Sequence, residues 1–152
     1  MNSQFITYNL FLDDVIEPQY CSILEGDNRY HELKWVVVRS HKDFMQTIID
    51  RFNQGQFPSL VSFGYELSWL PTKLVKNSDG LLQVVLADTN EPFPVRLGTG
   101  LDSVIFLKEW CKENSLELPE CLVHSTHIWG RDQILEEINS AKTTYIGDLN
   151  NA

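Results

Sequence analysis

The sequence predicts an α/β fold, a three-layer sandwich with a mostly parallel central sheet and an insertion after the third strand. Three observations carry this. Short apolar runs of strand length alternate with segments of helical periodicity, the pattern of βα units. Trp35-Val36-Val37-Val38 is apolar at successive positions, as a strand covered on both faces must be. The stretch 68–97 keeps neither period and interrupts the alternation once.

Residues 5–12 form the first strand, ending abruptly in Asp13-Asp14. The next twenty or so positions are broken by Glu17-Pro18-Gln19 and Glu25-Gly26-Asp27, leaving room for a short helix near Tyr20–Leu24. The second strand is 35–38. Ser40 then has the N-cap residue type, with Asp43 three positions on. Phe44, Ile48, Ile49 and Phe52 share one helical face, and Gly55 stands as the stop. The third strand is 59–63.

Within the insertion, Asn77-Ser78-Asp79-Gly80 signals a turn before a hairpin arm at 81–86, and Glu91-Pro92-Phe93-Pro94 reads as a loop. Thr99 opens a second strong helix, with Asp102 completing a capping box and a wide apolar face through Leu101, Val104, Ile105 and Trp110. Residues 120–124 form the next strand. The last helix starts near Trp129-Gly130 on a stripe of Ile134, Leu135 and Ile138, and the tail 145–152 reads as a short strand or frayed end. The order is that of a flavodoxin-like or receiver-like domain spanning 1–152.

At 152 residues the chain is long enough to bury a core without staples. A formal net charge of −9 argues against duplex nucleic acid as a partner, because phosphate contacts need a basic face. It leaves a small phosphorylated ligand, or a protein partner, open. Three cysteines without a C-x-x-C pair read as free thiols of a reducing compartment. Neither a signal peptide nor an apolar run of membrane-spanning length is visible, so the expected location is the cytoplasm, with no membrane partner.

Ligands of open α/β sheets sit outside the carboxyl ends of the strands. Asp13 and Asp14 follow the first strand, Gly64 and Glu66 the third, His124 and Ser125 the fourth. Adjacent carboxylates repel, and a hard divalent cation such as Mg²⁺ or Mn²⁺ relieves the repulsion. The same pair also suits a polar turn. His124 is the natural general acid or base, its unperturbed pKa lying nearest neutrality. Ser125 and Gly130, at a helix start, offer a hydroxyl and backbone N–H donors to a phosphate. Asp102 is explained by its capping box, although that helix start faces the same edge. His127 reads as a loop residue, and His31 and His41 as surface.

Together these residues resemble the cyclic-phosphate-processing receiver-like family, a divergent branch of the response-regulator receiver fold, over about residues 8–140. Leu10-Phe11-Leu12-Asp13-Asp14 followed by Pro18 is similar to the family's L-F-L-D-D-x-R-x-P. The run from Ser62 to Leu67 sits where the family has S-F-D-H-D-L, and Thr99-Gly100-Leu101-Asp102 resembles its T-G-x-D. The run from Val123 to Arg131 resembles V-H-S-x-N-P-x-G-R.

The resemblance implies a site that processes cyclic phosphates with a divalent metal. His124 and Asp14 are then the catalytic candidates and Asp13, Asp14 and Glu66 the metal ligands. Ser125, Gly130 and Arg131 form the phosphate-binding set, with Asp102 an additional candidate. The departures are Ile16 for the family's Arg, Gly64 and Tyr65 for its Asp-His, Glu66 for its second Asp, and His127-Ile128 for its Asn-Pro. Gly64 stands at the position matching a receiver's phospho-accepting aspartate, which implies that ordinary phosphorelay is lost.

Two expectations follow: a metal-dependent phosphoesterase acting on a cyclic nucleotide or cyclic phosphate, or a catalytically degenerate regulatory module that binds a protein or sequesters a ligand. Trp69 and Phe93 in the insertion are the expected aromatic contacts of the second.

Overall fold

A computed structural model describes residues 4–67, 72–87, 89–90, 98–125 and 128–151. Trp69, Phe93 and His127 lie outside them. The elements run β1 (Ile6–Leu12), α1 (Pro18–Glu25), α2 (Arg29–Glu32), β2 (Val36–Val38), α3 (His41–Phe52), β3 (Gln56–Phe63), β4 (Thr72–Lys76), β5 (Leu82–Leu86), α4 (Gly100–Glu113), β6 (Glu120–Val123) and α5 (Ile128–Asn151). No helix among the described residues is long and apolar enough to cross a membrane.

Four strands form a parallel sheet in the order β2-β1-β3-β6, while β4 and β5 pair antiparallel as a separate two-stranded sheet. This is the expected α/β sandwich. The chain leaves β1 toward β2 on one side and later leaves β3 toward β6 on the other, so the topological switch lies between β1 and β3.

Side-chain alternation divides the sheet's apolar residues between two layers. Leu10, Leu12, Val61, Phe63 and Val123 face α3, α4 and α5, where Phe44, Ile48, Val104, Leu107, Ile134 and Ile138 complete the larger core. Phe11 faces α1 and α2, where it meets Cys21 and Tyr30, flanked by Ile16, Trp35, Val37 and Leu122.

Local chemistry sets the boundaries. Ser40 caps α3 by accepting from the Asp43 amide, as expected, but the helix ends at Asn53 and Gly55 lies in the turn beyond. The Thr99/Asp102 capping box forms in full. Pro18 is no breaker. It occupies the first turn of α1, where its missing N–H costs nothing. The helix is therefore longer than the sequence suggests, and a short second helix follows it. Strand β3 begins earlier than expected because Pro58 is accommodated beside a bulge, where the register steps from Tyr8↔Pro58 to Asn9↔Leu60 and leaves Ser59 as the extra, exposed residue. The tail expected as a strand or frayed end instead continues α5 to Asn151. The segment after Ser140 holds no proline to stop it.

Candidate functional site

The register places the site. Phe11, Ser62 and Leu122 are partners across β1, β3 and β6 and so lie in one row on the α1/α2 side. Two residues further along each strand the row becomes Asp13, Gly64 and His124. Backbone bonds from Asp13 N to Val38 O, Gly64 N to Leu12 O and His124 N to Phe63 O, at 3.1, 2.8 and 3.1 Å, carry the pairing into this row.

Gly64 has no side chain, and its two neighbours meet across the gap. His124 Nε2 lies 2.9 Å from Asp13 Oδ2. A Cβ on Gly64 would sit 2.7 Å from that oxygen, 3.0 Å from Leu12 O and 3.1 Å from His124 Nε2.

Asp13 is 6% exposed, and both of its oxygens are engaged. Oδ1 accepts from the Val15 and Ile16 amides at 2.9 and 2.8 Å, so the carboxylate organises the loop leaving β1. Burial pushes its pKa up, but the hydrogen bonds from His124, Ile16 and Val15 outweigh it, and the net shift is downward. His124 is 1% exposed and stacks on Phe11, with ring centroids 4.3 Å apart. Its Nδ1 lies 2.7 Å from Ser62 Oγ, and Ser62 Oγ lies 2.7 Å from Tyr30 OH. A buried chain Asp13–His124–Ser62–Tyr30 thus runs from the strand ends into the smaller core.

Asp13, Asp14, Glu66, His124 and Ser125 line one cleft of about 410 Å³ at the switch point, together with Val15, Ile16 and Tyr65. The convergence expected of the strand ends is found for these five. Asp102 lines a different depression, between α3 and α4, and its Oδ2 accepts from Thr99 N at 2.9 Å in the capping box. Arg131 makes a two-point pair with Glu25 at 2.9 and 3.0 Å and donates to Ser125 O at 3.3 Å. Gly130 packs directly under Tyr65, since a Cβ there would fall 2.2 Å from the ring. His31 is exposed, and His41 Nδ1 lies 2.8 Å from Ser103 Oγ.

Sequence reasoning missed Tyr30, Ser62 and Arg39. A serine inside the apolar run Leu60-Val61-Ser62-Phe63 was the available signal for Ser62, because a buried hydroxyl requires a partner. Arg39 follows β2, pairs with Glu17 and donates to Ile16 O at 2.7 Å and Asp13 O at 3.3 Å. It braces the Asp13 loop from the side.

Among the described residues the donor set is not arranged around a divalent cation. Asp13 already accepts three hydrogen bonds, two backbone amides on Oδ1 and His124 on Oδ2, so one lone pair is left for a cation. Among the described residues no three His, Cys, Asp or Glu side chains are grouped to hold a metal. Nor, among the described residues, is the cleft arranged for a bare anion: its lining carboxylates are Asp13, Asp14 and Glu66, while Arg39 and Arg131 are paired with Glu17 and Glu25. Compared with known proteins, the chain matches no family model, no curated protein and no solved structure.

Proposed function

We propose that this protein is a receiver-like domain of the cyclic-phosphate-processing kind whose cleft no longer turns over substrate, and that it acts as a regulatory module by engaging a protein partner. One observation carries the reading. At the position matching a receiver's phospho-acceptor, Gly64 leaves a gap that the Asp13–His124 hydrogen bond fills. A side chain there would push the pair apart. The central position of the row thus serves as scaffold, with its polar groups satisfied internally.

The outer face of α1 supports a protein partner. Tyr20, Ile23 and Leu24 stand at i, i+3 and i+4 and are 60%, 84% and 59% exposed, an apolar stripe that a helix turned toward solvent does not need.

The second reading, a metal-dependent phosphoesterase, draws on the cleft itself. Asp13, Asp14, Glu66, His124 and Ser125 share it, and a Mg²⁺ or Mn²⁺ ion would supply Lewis-acid polarisation of a phosphodiester there. It requires a cation to share Asp13 with the hydrogen bonds from His124, Val15 and Ile16.

Incubation with a panel of cyclic nucleotides and cyclic phosphates, with Mg²⁺ or Mn²⁺, distinguishes the two. The expected result is no turnover, with a partner captured from the native cell by the wild type and lost with Ile23→Asp. Hydrolysis that a chelator stops and His124→Ala abolishes would overturn the regulatory reading in favour of the phosphoesterase.

A further inference from the structure

We propose that Tyr30 and Ser62 are positioning residues that hold His124 as the neutral Nε2–H tautomer, making the imidazole the permanent partner of Asp13 and leaving Nε2 without a lone pair for any cation. The inference follows from donor bookkeeping along the buried chain. Ionised Asp13 only accepts, so the proton of the Asp13–His124 bond belongs to Nε2. Nδ1 of a neutral ring must then accept, and its neighbour is the Ser62 hydroxyl at 2.7 Å. Having donated to Nδ1, Ser62 Oγ accepts from the Tyr30 hydroxyl, also at 2.7 Å. Tyr30 stays protonated as the terminal donor, its pKa raised by burial.

In this direction every buried polar atom of the chain is satisfied. The opposite direction, with a proton on Nδ1 in the other tautomer or in the imidazolium, makes Ser62 donate to Tyr30 and turns the Tyr30 proton outward. Among the described residues Ser62 is that hydroxyl's hydrogen-bond partner, so the reversed chain strands a buried donor, a penalty of about 1–3 kcal/mol. Metal ligation through Nε2 needs that disfavoured tautomer, because a ligating imidazole nitrogen gives its lone pair while the other nitrogen donates. Stacking on Phe11 and the edge contact with Tyr30, at 6.2 Å between centroids, hold the ring in the plane the relay needs.

The inference rests on the reading of this cleft as a satisfied scaffold. It is tested by ¹⁵N-edited NMR of the imidazole nitrogens in the full chain near neutral pH, with His124 assigned by comparison with His124→Gln. The expected spectrum has Nε2 protonated and Nδ1 pyridine-like, unchanged by millimolar Mg²⁺. Ser62→Ala should mix the two tautomers, and Ser62→Thr, which keeps the hydroxyl, should restore the single one. Tyr30→Phe gives a weaker shift in the same direction and serves if Ser62→Ala does not fold. A wild-type ring protonated on Nδ1, or Mg²⁺-dependent movement of its nitrogens, would overturn the proposal. Cyclic-phosphate turnover with the expected spectrum intact would instead overturn only the regulatory reading.

Discussion

At the scale of single residues, Asp13 ties together the most structure. It fixes the β1 exit loop through two amides, anchors His124, and does so while nearly buried. Its folded-state pKa lies below the unfolded carboxylate value, about 3.9. A depressed carboxylate pKa adds stability that is present above the unfolded value and is lost as pH falls through the folded one. Urea unfolding from pH 7 down to pH 3 should therefore show wild type well above Asp13→Asn at neutral pH, with the gap narrowing below about pH 4. A gap that stays constant across the range would mean that the carboxylate's charge does nothing for the fold. The residue was legible in the sequence as the end of an apolar run, and so was His124. Their pairing was not, because it depends on a row alignment across β1, β3 and β6 and on a glycine between them. Tyr30 was invisible for the same reason: nothing in its neighbourhood of the chain points to a serine in β3.

Between residues and the whole lie the elements, and here the sequence was most readable where a side chain closes a backbone bond locally. Ser40 and Thr99 both cap as their residue types and the following Asp suggest. Asp102 is the instructive case. Its place in a receiver-like motif suggested a site role, yet its carboxylate accepts from Thr99 N and it lines a depression away from Asp13 and His124. The box holds the start of α4 beside the chain leaving β3, where Thr99 bridges Glu66 and Gly100 N donates to Tyr65 O at 2.8 Å. Thr99→Ala should cost about 1 kcal/mol in denaturant unfolding, the usual loss for an N-cap. A cost below about 0.3 kcal/mol would indicate that the bridge and the Gly100 bond hold the helix start without the cap. Strand limits were less legible: β3 starts before Pro58, which a bulge beside it makes possible. The arm β4 was missed because Thr72-Lys73-Leu74-Val75-Lys76 is short and charged, and only pairing with β5 makes it a strand.

For the whole molecule, the alternation of periods was enough to give the parallel sheet, because each β-to-α switch leaves a local signature. Strand order leaves none, and the switch point between β1 and β3 comes from topology. The same topology divides stability unevenly. Strands β1 and β3 lie inside the four-stranded sheet and are buried by helices on either side. The β4–β5 hairpin pairs only with itself among the described strands. Leu74, Leu82 and Val84 on its outer side are 64%, 67% and 46% exposed, while among the described side chains of the hairpin Val85 alone is buried. A lone two-stranded hairpin is marginal in water, and such units open without global unfolding. Native-state hydrogen exchange should therefore find amides of β1 and β3 exchanging only through global unfolding, and those of 72–76 and 82–86 at least about a hundredfold faster, equivalent to roughly 2.7 kcal/mol or more below the global value. Adding low urea should accelerate the sheet amides and leave the hairpin nearly unchanged, because opening the hairpin exposes little surface. Equal protection in the two regions would mean that the hairpin is welded to the body through contacts beyond Val85, and that the fold opens as one cooperative unit.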